Sequence, residues 1–476
     1  MSRQLFYGLS VLLPILAILL ERNLMARSEA YAPIIGRANV TLFLVNSEAG
    51  LSNVFAATAQ ALLEQHPTVT VHFASFSPIA PQLERISSYS RTQSLSHPAP
   101  GIIFHELPDL TLTRAIHLSG RTMSNMAHPP GLGGIDQICR DIQFYISPWS
   151  GEDHYVLYQR LVDIIDQVDP AVIVLDTVFR PGIDATRERK RLHAFISPNT
   201  LIDNFAMDQP WGSMFWKYPL AASGIPYPVP WRRIPENIYL TLRFIYAVFT
   251  MSNIKEKQAF LKSKDLSDPI NFYNLHRPEV PWFTGFTWMK SKAEFMALAL
   301  AQVLEQTDLQ VLWKFQKDTN DANLTHRLEY DDTFLEPLRP FLDRGRVRTQ
   351  TWLSADPTAL LKTGHIVVSV HHGGSGCYHE AIATGVPQLV LPQWFDLYNF
   401  AQLTEDIGVG VWGCRETSPH WTVECLRHAL LRVVRGESGR QMKERAAHFE
   451  EAAQNSPGQQ AAAREIARLA SSGKTA

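Results

Sequence analysis

Short uncharged runs alternate with amphipathic stretches along most of the chain, and this alternation sets the fold class before any motif is considered. Residues 38–45 (ANVTLFLV) make an apolar run of strand length, and a helix follows over 54–65. Residues 68–75 (TVTVHFAS) alternate as a strand does, and 101–106 (GIIFHE) supply another. Residues 155–168 (YVLYQRLVDIIDQV) repeat apolar positions every three or four residues and lead into the buried-type strand 171–175, which ends at Asp176. A short strand is expected at 194–197, and an apolar helix, buried or membrane-facing, at 238–251. In the second half a helix is expected over 290–304 and strands over 310–315 (QVLWKF), 347–352 (VRTQTW) and 366–370. The tail 422–470 is helical in pattern and broken at 455–458 (NSPG). Strands alternating with helices predict an α/β fold with doubly wound parallel sheets, whose ligands sit outside the carboxyl ends of the strands.

Length divides this pattern in two. At 476 residues the chain holds two domains of roughly 200 residues more readily than one. A formal charge of −2 gives no basic surface of the kind nucleic acid requires, so small neutral or lipophilic partners fit better. The four cysteines, Cys139, Cys377, Cys414 and Cys425, form no CxxC pair and no metal-ligand spacing, so neither a disulfide scaffold nor a zinc site is expected, and a reducing compartment is favoured. Residues 5–20 (LFYGLSVLLPILAILL) carry no charge. That length matches a secretory signal or short anchor and falls short of the roughly 20 residues that span a bilayer upright. Residues 211–231 shift to Trp, Pro, Gly and Tyr, as an irregular aromatic loop does, with a lipophilic substrate wall as the functional reading and loop packing as the plain one.

The chemistry concentrates in residues 365–413. There an apolar strand runs into His371, His372, Gly373, Gly374, Ser375 and Gly376, then a helix through Glu380, then a second strand. A diphosphate suits such a turn, because free N–H groups and the positive end of a helix dipole attract anions and glycine lets the backbone come close.

These residues resemble the signature of the family-1 UDP-glycosyltransferases of the GT-B fold, with a fungal flavour. The match runs through His372, Gly374, Glu380, Ala381, Gly385, Pro387, Pro392 and Asp396, with Cys377 in place of the usual hydroxyl. The resemblance implies two Rossmann-like doubly wound domains facing across a cleft. It implies that His372 donates to the diphosphate, that Gly374, Gly376 and Cys377 shape the turn and offer main-chain N–H groups, and that Glu380 holds the ribose hydroxyls. Trp352 would stack on uracil and Asp396 would bind the sugar. Lys314 is a further candidate for phosphate, whereas His371 reads as a structural neighbour, His379 as a surface residue and Trp313 as core. Ala355, Leu397 and Phe400 replace polar family positions for the base and the sugar.

In the first half the resemblance places the catalytic dyad, and here the chain departs from it. Asp184 falls on the family aspartate, but the histidine position reads Leu51, which accepts no proton. Asp184 itself and Glu48 are the candidate bases, each able to act if burial raises its pKa. The interdomain linker, and with it the first strand of the second domain, also look deleted around 278–290.

The expected domains are therefore a signal or anchor segment at 1–30, an acceptor-binding domain at 31–277, a UDP-sugar domain at 278–440, and C-terminal helices at 441–476 that reach back over the first domain. The expected activity is inverting transfer of a hexosyl group, glucosyl by preference, from UDP-sugar to a hydroxyl of a small lipophilic acceptor such as a sterol or terpenoid. No cofactor and no metal ion are implied. Membrane association through residues 5–20, in the endoplasmic reticulum or secretory pathway, accompanies this reading. A nucleotide-sugar-binding pseudoenzyme, a lipid-linked sugar transferase and a membrane-tethered interaction protein are the alternatives.

Overall fold

The computed structural model describes residues 33–93, 101–121, 125–197, 211–270, 290–315, 332–351, 356–455 and 457–474, with a few single positions between them. The expected anchor at 5–20 and the suspected deletion at 278–289 lie outside the described residues. Among the described residues no helix is long and apolar enough to cross a membrane. The chain forms two compact units: 33–115, 139–270 and 459–474 in the first, and Ile116–Ile138 with 290–458 in the second.

The first unit is built on five parallel strands, β1 (Arg37–Leu44), β2 (Thr70–Ser75), β3 (Ile103–Glu106), β4 (Pro170–Asp176) and β5 (His193–Ile196), in the order β3-β2-β1-β4-β5. Its two central strands explain why their sequences are continuous apolar runs: every residue of β4 is buried, as are the last five of β1. On one face Phe43 of β1 stacks on Phe73 and meets Phe55 of helix α1 (Ala49–Gln65) edge-on. On the other, Leu42 and Leu44 share a buried cluster with Leu157, Leu161 and Ile164 of α2 (Gly151–Val168). Helices on both faces make the sheet doubly wound, as expected. Helix α3 (Arg180–Glu188) follows β4, and α4 (Ile234–Thr250) occupies the apolar stretch expected to be helical. After the break at 455–458 the last helix belongs to this unit, where the N–H of Lys474 donates to the carbonyl of Gly36 at 2.8 Å.

The second unit opens with α5 (Lys290–Glu305) and has strands β6 (Val311–Lys314), β7 (Val347–Gln350), β8 (Ser369–His371), β9 (Gln388–Val390) and β10 (Gly410–Trp412), all paired in parallel. They form two separate pieces, β6-β7 and β10-β9-β8. In a doubly wound sheet the first strand lies between the second and the fourth. β6 and β8 take those two places, and residues 271–289, which precede them in the chain, lie outside the described residues. Leu312 of β6 and Val370 of β8 are exposed apolar side chains, as is Val367 just ahead of β8. The expected strand at 366–370, covered on both faces, is corrected to β8 at Ser369–His371, which buries His371 and leaves Val370 exposed. The core of this unit lies against α5, where Ala293, Met296, Ala297 and Leu304 pack with Trp313, Phe334, Leu389 and Leu430. Trp313 is core, as the sequence indicated.

The cysteine expectation is also corrected. Cys414, in a left-handed turn after β10, and Cys425, in the first turn of α8 (Val423–Val434), form a disulfide across a sequence separation of 11, a spacing that no motif marks. It joins the two ends of the loop that carries Trp421.

Because Leu389 of β9 is fully buried and Val370 of β8 is exposed, substitutions should separate them. Leu389→Ala should destabilise the second unit by about 3 kcal/mol, whereas Val370→Thr should cost less than about 0.5 kcal/mol. Urea unfolding followed by circular dichroism checks the difference.

Candidate functional site

The expected cradle forms at the carboxyl end of β8. Gly373 turns the chain with φ +90°, and a Cβ there would lie 2.8 Å from Val390 Cγ1 and 2.9 Å from the Leu397 carbonyl oxygen, so only glycine fits. Helix α6 (Ser375–Ala383) starts immediately afterwards, with Gly374 at its N-cap and no side-chain cap bond. The first amides of α6 are therefore left for a ligand or solvent, and its start at Ser375 brings Gly376 and Cys377 into the opening turn.

The two histidines have different tasks. His371 Nδ1 accepts the Gly373 N–H at 3.1 Å, which fixes the tautomer, and its Nε2–H donates to Gln388 Oε1 at 2.8 Å. It is a structural brace, as expected. His372 is buried against the Trp394 ring, centroids 5.9 Å apart, and burial with the neighbouring His371 and Lys314 pushes its pKa down to about 3. It stays neutral throughout the physiological range, the form in which one ring nitrogen donates a directed hydrogen bond.

Glu380 lies on α6, where burial and the Asp356 carboxylate push its pKa up to about 7, with Lys314 acting against them. Burial likewise keeps the Cys377 thiol protonated. Lys314 thus stands beside the turn, close enough to influence His372, Cys377 and Glu380. Asp396 is half-buried at the start of α7 (Leu397–Asp406). Leu397 and Phe400, which replace polar family positions, are buried, and Phe400 packs on Tyr378 at 5.2 Å. Trp352 and Ala355 lie outside the described residues.

No pattern in the residues singles out His128. It sits in the Ile116–Ile138 segment and is buried in the second unit. Its N–H donates to the Gln393 carbonyl at 3.1 Å, its Nδ1–H to Pro129 O at 2.8 Å, and its Nε2 accepts the Phe395 N–H at 3.1 Å. The Tyr398 hydroxyl donates to its carbonyl. These bonds hold both sides of the loop that carries Asp396. The signal available in sequence was only the HPPGLGG run, which reads as a turn.

In the first unit the carboxyl ends of β1 and β4 bring together Asn46, Glu48 and Asp176. Asp176 Oδ2 accepts from Asn46 Nδ2 at 3.1 Å and Oδ1 from the Val178 N–H at 3.0 Å. Burial, with the Glu48 carboxylate adding to it, raises its pKa to about 7. Glu48 Oε1 accepts the Thr113 N–H at 2.9 Å, Oε2 is buried with no hydrogen bond among the described residues, and burial raises the pKa here too, with hydrogen bonds from Thr113 acting against it. Leu51 lies in the first turn of α1, two residues beyond its start.

Asp184 is elsewhere engaged. Its Oδ2 meets Nε2 of His154, from the first turn of α2, at 3.0 Å, and the Ile270 N–H donates to its carboxylate at 3.0 Å. Both side chains are buried, so a histidine–aspartate pair does exist, with His154 in a place the sequence did not single out. The pair ties α2, α3 and the end of the first unit together, and it leaves Asp184 saturated with donors.

Known proteins resemble the chain in both sequence and shape. Residues 344–468 match the family model of the erythromycin biosynthesis protein CIII-like C-terminal domain. The glycosyltransferase sdnJ of Sordaria araneosa is 30% identical over 455 residues, covering 83% of this chain and 88% of that protein. Among solved structures, Phytolacca americana UGT2, complexed with UDP-2-fluoroglucose and pterostilbene, superposes with TM-score 0.55 at 12% identity, covering 92% of this chain and all of that one. A UDP-glucose:anthocyanidin 3-O-glucosyltransferase in complex with UDP gives TM-score 0.50 at 14% identity over the same shares.

The buried Asp176 gives a pH prediction. Its folded pKa, about 7, lies above its unfolded value, so its contribution to stability is fully present below about pH 4 and is lost as pH rises through 7. The stability of the wild type relative to Asp176→Asn should therefore fall between about pH 4 and pH 7 and level off above that, as read from paired thermal unfolding curves.

Proposed function

We propose that this chain, which belongs to the family-1 glycosyltransferases of the GT-B fold, transfers a hexosyl group from a UDP-sugar to a hydroxyl of a small lipophilic acceptor. The donor in this family is a nucleotide sugar, and the reaction needs no cofactor. The observation that carries the finer reading is the turn His372–Gly373–Gly374, which leads into uncapped helix α6 with Glu380 one further turn along. His372 and the first α6 amides would bind the diphosphate, Glu380 the ribose, Trp352 the uracil and Asp396 the sugar. The UDP and UDP-2-fluoroglucose held by those two solved enzymes support that donor.

In the reaction the acceptor oxygen attacks the anomeric carbon as the bond to the diphosphate breaks, which inverts that centre. The acceptor proton goes to Glu48, whose Oε2 has no hydrogen bond among the described residues and whose raised pKa makes it a stronger base than an ordinary glutamate. Asp184 serves by holding His154 and the Ile270 amide. Neutral His372 stabilises the charge that gathers on departing UDP.

The lipophilic class of acceptor is supported by the aromatic stretch from Trp211 to Trp231, which Asn237 of α4 fastens by donating to the carbonyls of Met214 and Tyr218. Trp211, Trp231 and Tyr246 remain largely exposed there. Membrane association through residues 5–20 and a place in the secretory pathway fit the Cys414–Cys425 disulfide, which oxidising compartments favour. Leu51, in place of the family histidine, favours one other reading, a protein that binds nucleotide-sugar without transferring it.

UDP release from UDP-glucose with a panel of sterols, terpenoids and phenolics decides between transfer and binding alone. Acceptor-dependent release is expected, with kcat reduced about 100-fold or more in Glu48→Gln and donor KM little changed. No release with any acceptor, despite UDP binding, would favour the second reading. Full-length protein should also sediment with microsomes after carbonate extraction, and Leu12→Arg with Leu16→Arg should release it.

A further inference from the structure

Helix α5 carries a buried lysine whose pKa burial lowers to about 8 and which no carboxylate of the described residues neutralises. Lys292 is 7% exposed, its Nζ donates to Gln393 Oε1 at 2.6 Å, and it lies 5.1 Å from the centroid of the Trp421 ring. An ammonium has three N–H donors and a full charge. One amide oxygen and one indole face use a single donor and offset part of the charge, and among the described residues no carboxylate lies within ion-pair distance of it. Lysines this deeply buried are ordinarily paired.

Its position relates the cation to the cradle. Helix α5 leads into β6, so its first turn lies toward the carboxyl ends of the strands, the side on which ligands of such sheets bind. Gln393 follows β9, the main chain of His128 holds its carbonyl, and the next residue, Trp394, packs on His372. The bonded amide therefore sets the ammonium on the framework that shapes the turn. Lys314 is the other cation near the turn, and it faces Glu380, which offsets its charge.

We infer that Lys292 binds the diphosphate of the donor, its ammonium supplying the positive charge that balances the phosphate oxygens and the charge added as the sugar departs. The inference rests on the nucleotide-sugar reading above. It adds to the neutral donors of the turn one charged group, fixed before the ligand arrives by Gln393 and Trp421.

Titration calorimetry of the full chain with UDP and with uridine, which lacks phosphate, tests it. Lys292→Met should weaken UDP at least 30-fold while uridine affinity stays within twofold, Lys292→Arg should recover most of the UDP affinity, and the Met variant should unfold no earlier than wild type because a buried charge has been removed. UDP affinity within threefold of wild type in Lys292→Met would overturn the inference alone. Equal loss of UDP and uridine would also overturn it, by marking Lys292 as a packing residue. Failure of wild-type protein to bind UDP at all would overturn the donor reading along with it.

Discussion

The second unit depends on one close approach, that of the Gly373 backbone to Val390 and to the carbonyl of Leu397. A Cβ at this position would push β8 away from the end of β9 and the start of α7. Without the left-handed turn, His372 would not follow β8 into the interior and α6 would not begin at Ser375. The alignment of strand end, histidine and helix start is thus enforced by packing, and the ligand need not create it. His371 strengthens the arrangement by joining the turn to Gln388, so β8 and β9 keep their register despite their short length.

Around this turn the protein holds titratable groups under strong burial, and the sign of each shift suits a task. His372 is held neutral, Glu380 is kept close to its midpoint near pH 7, and burial lowers Lys292 to about 8, with no carboxylate of the described residues within ion-pair distance. In the first unit Asp176 and Glu48 share a buried region at the ends of β1 and β4. Desolvation is the largest cause in each case where a shift is resolved, so folding has stored electrostatic free energy at the same ends of the sheets that bind ligands.

Much of this was legible in the residues, and the exceptions have physical reasons. The apolar runs of β1 and β4 marked central strands because burial on both faces leaves no polar position to disguise them. The glycine turn was readable because backbone geometry restricts residue choice more severely than side-chain packing does. His128, His154 and Lys292 were not readable: each acts through a partner more than 25 residues away, and contacts at that range leave no periodicity. The Cys414–Cys425 bridge was missed for a similar reason, since loop geometry, with no motif, brings its ends together. β8 covers only Ser369–His371 and leaves Val370 exposed, which the apolar content of 366–370 does not express.

The central claim is that His372 and the turn behind it form a nucleotide-diphosphate site. Calorimetric titration of UDP into the full-length wild type and His372→Ala tests it most directly, with thermal unfolding confirming that both are folded. The account predicts saturable UDP binding by the wild type and at least tenfold weaker binding by the variant. Equal affinity in the two folded proteins would contradict it.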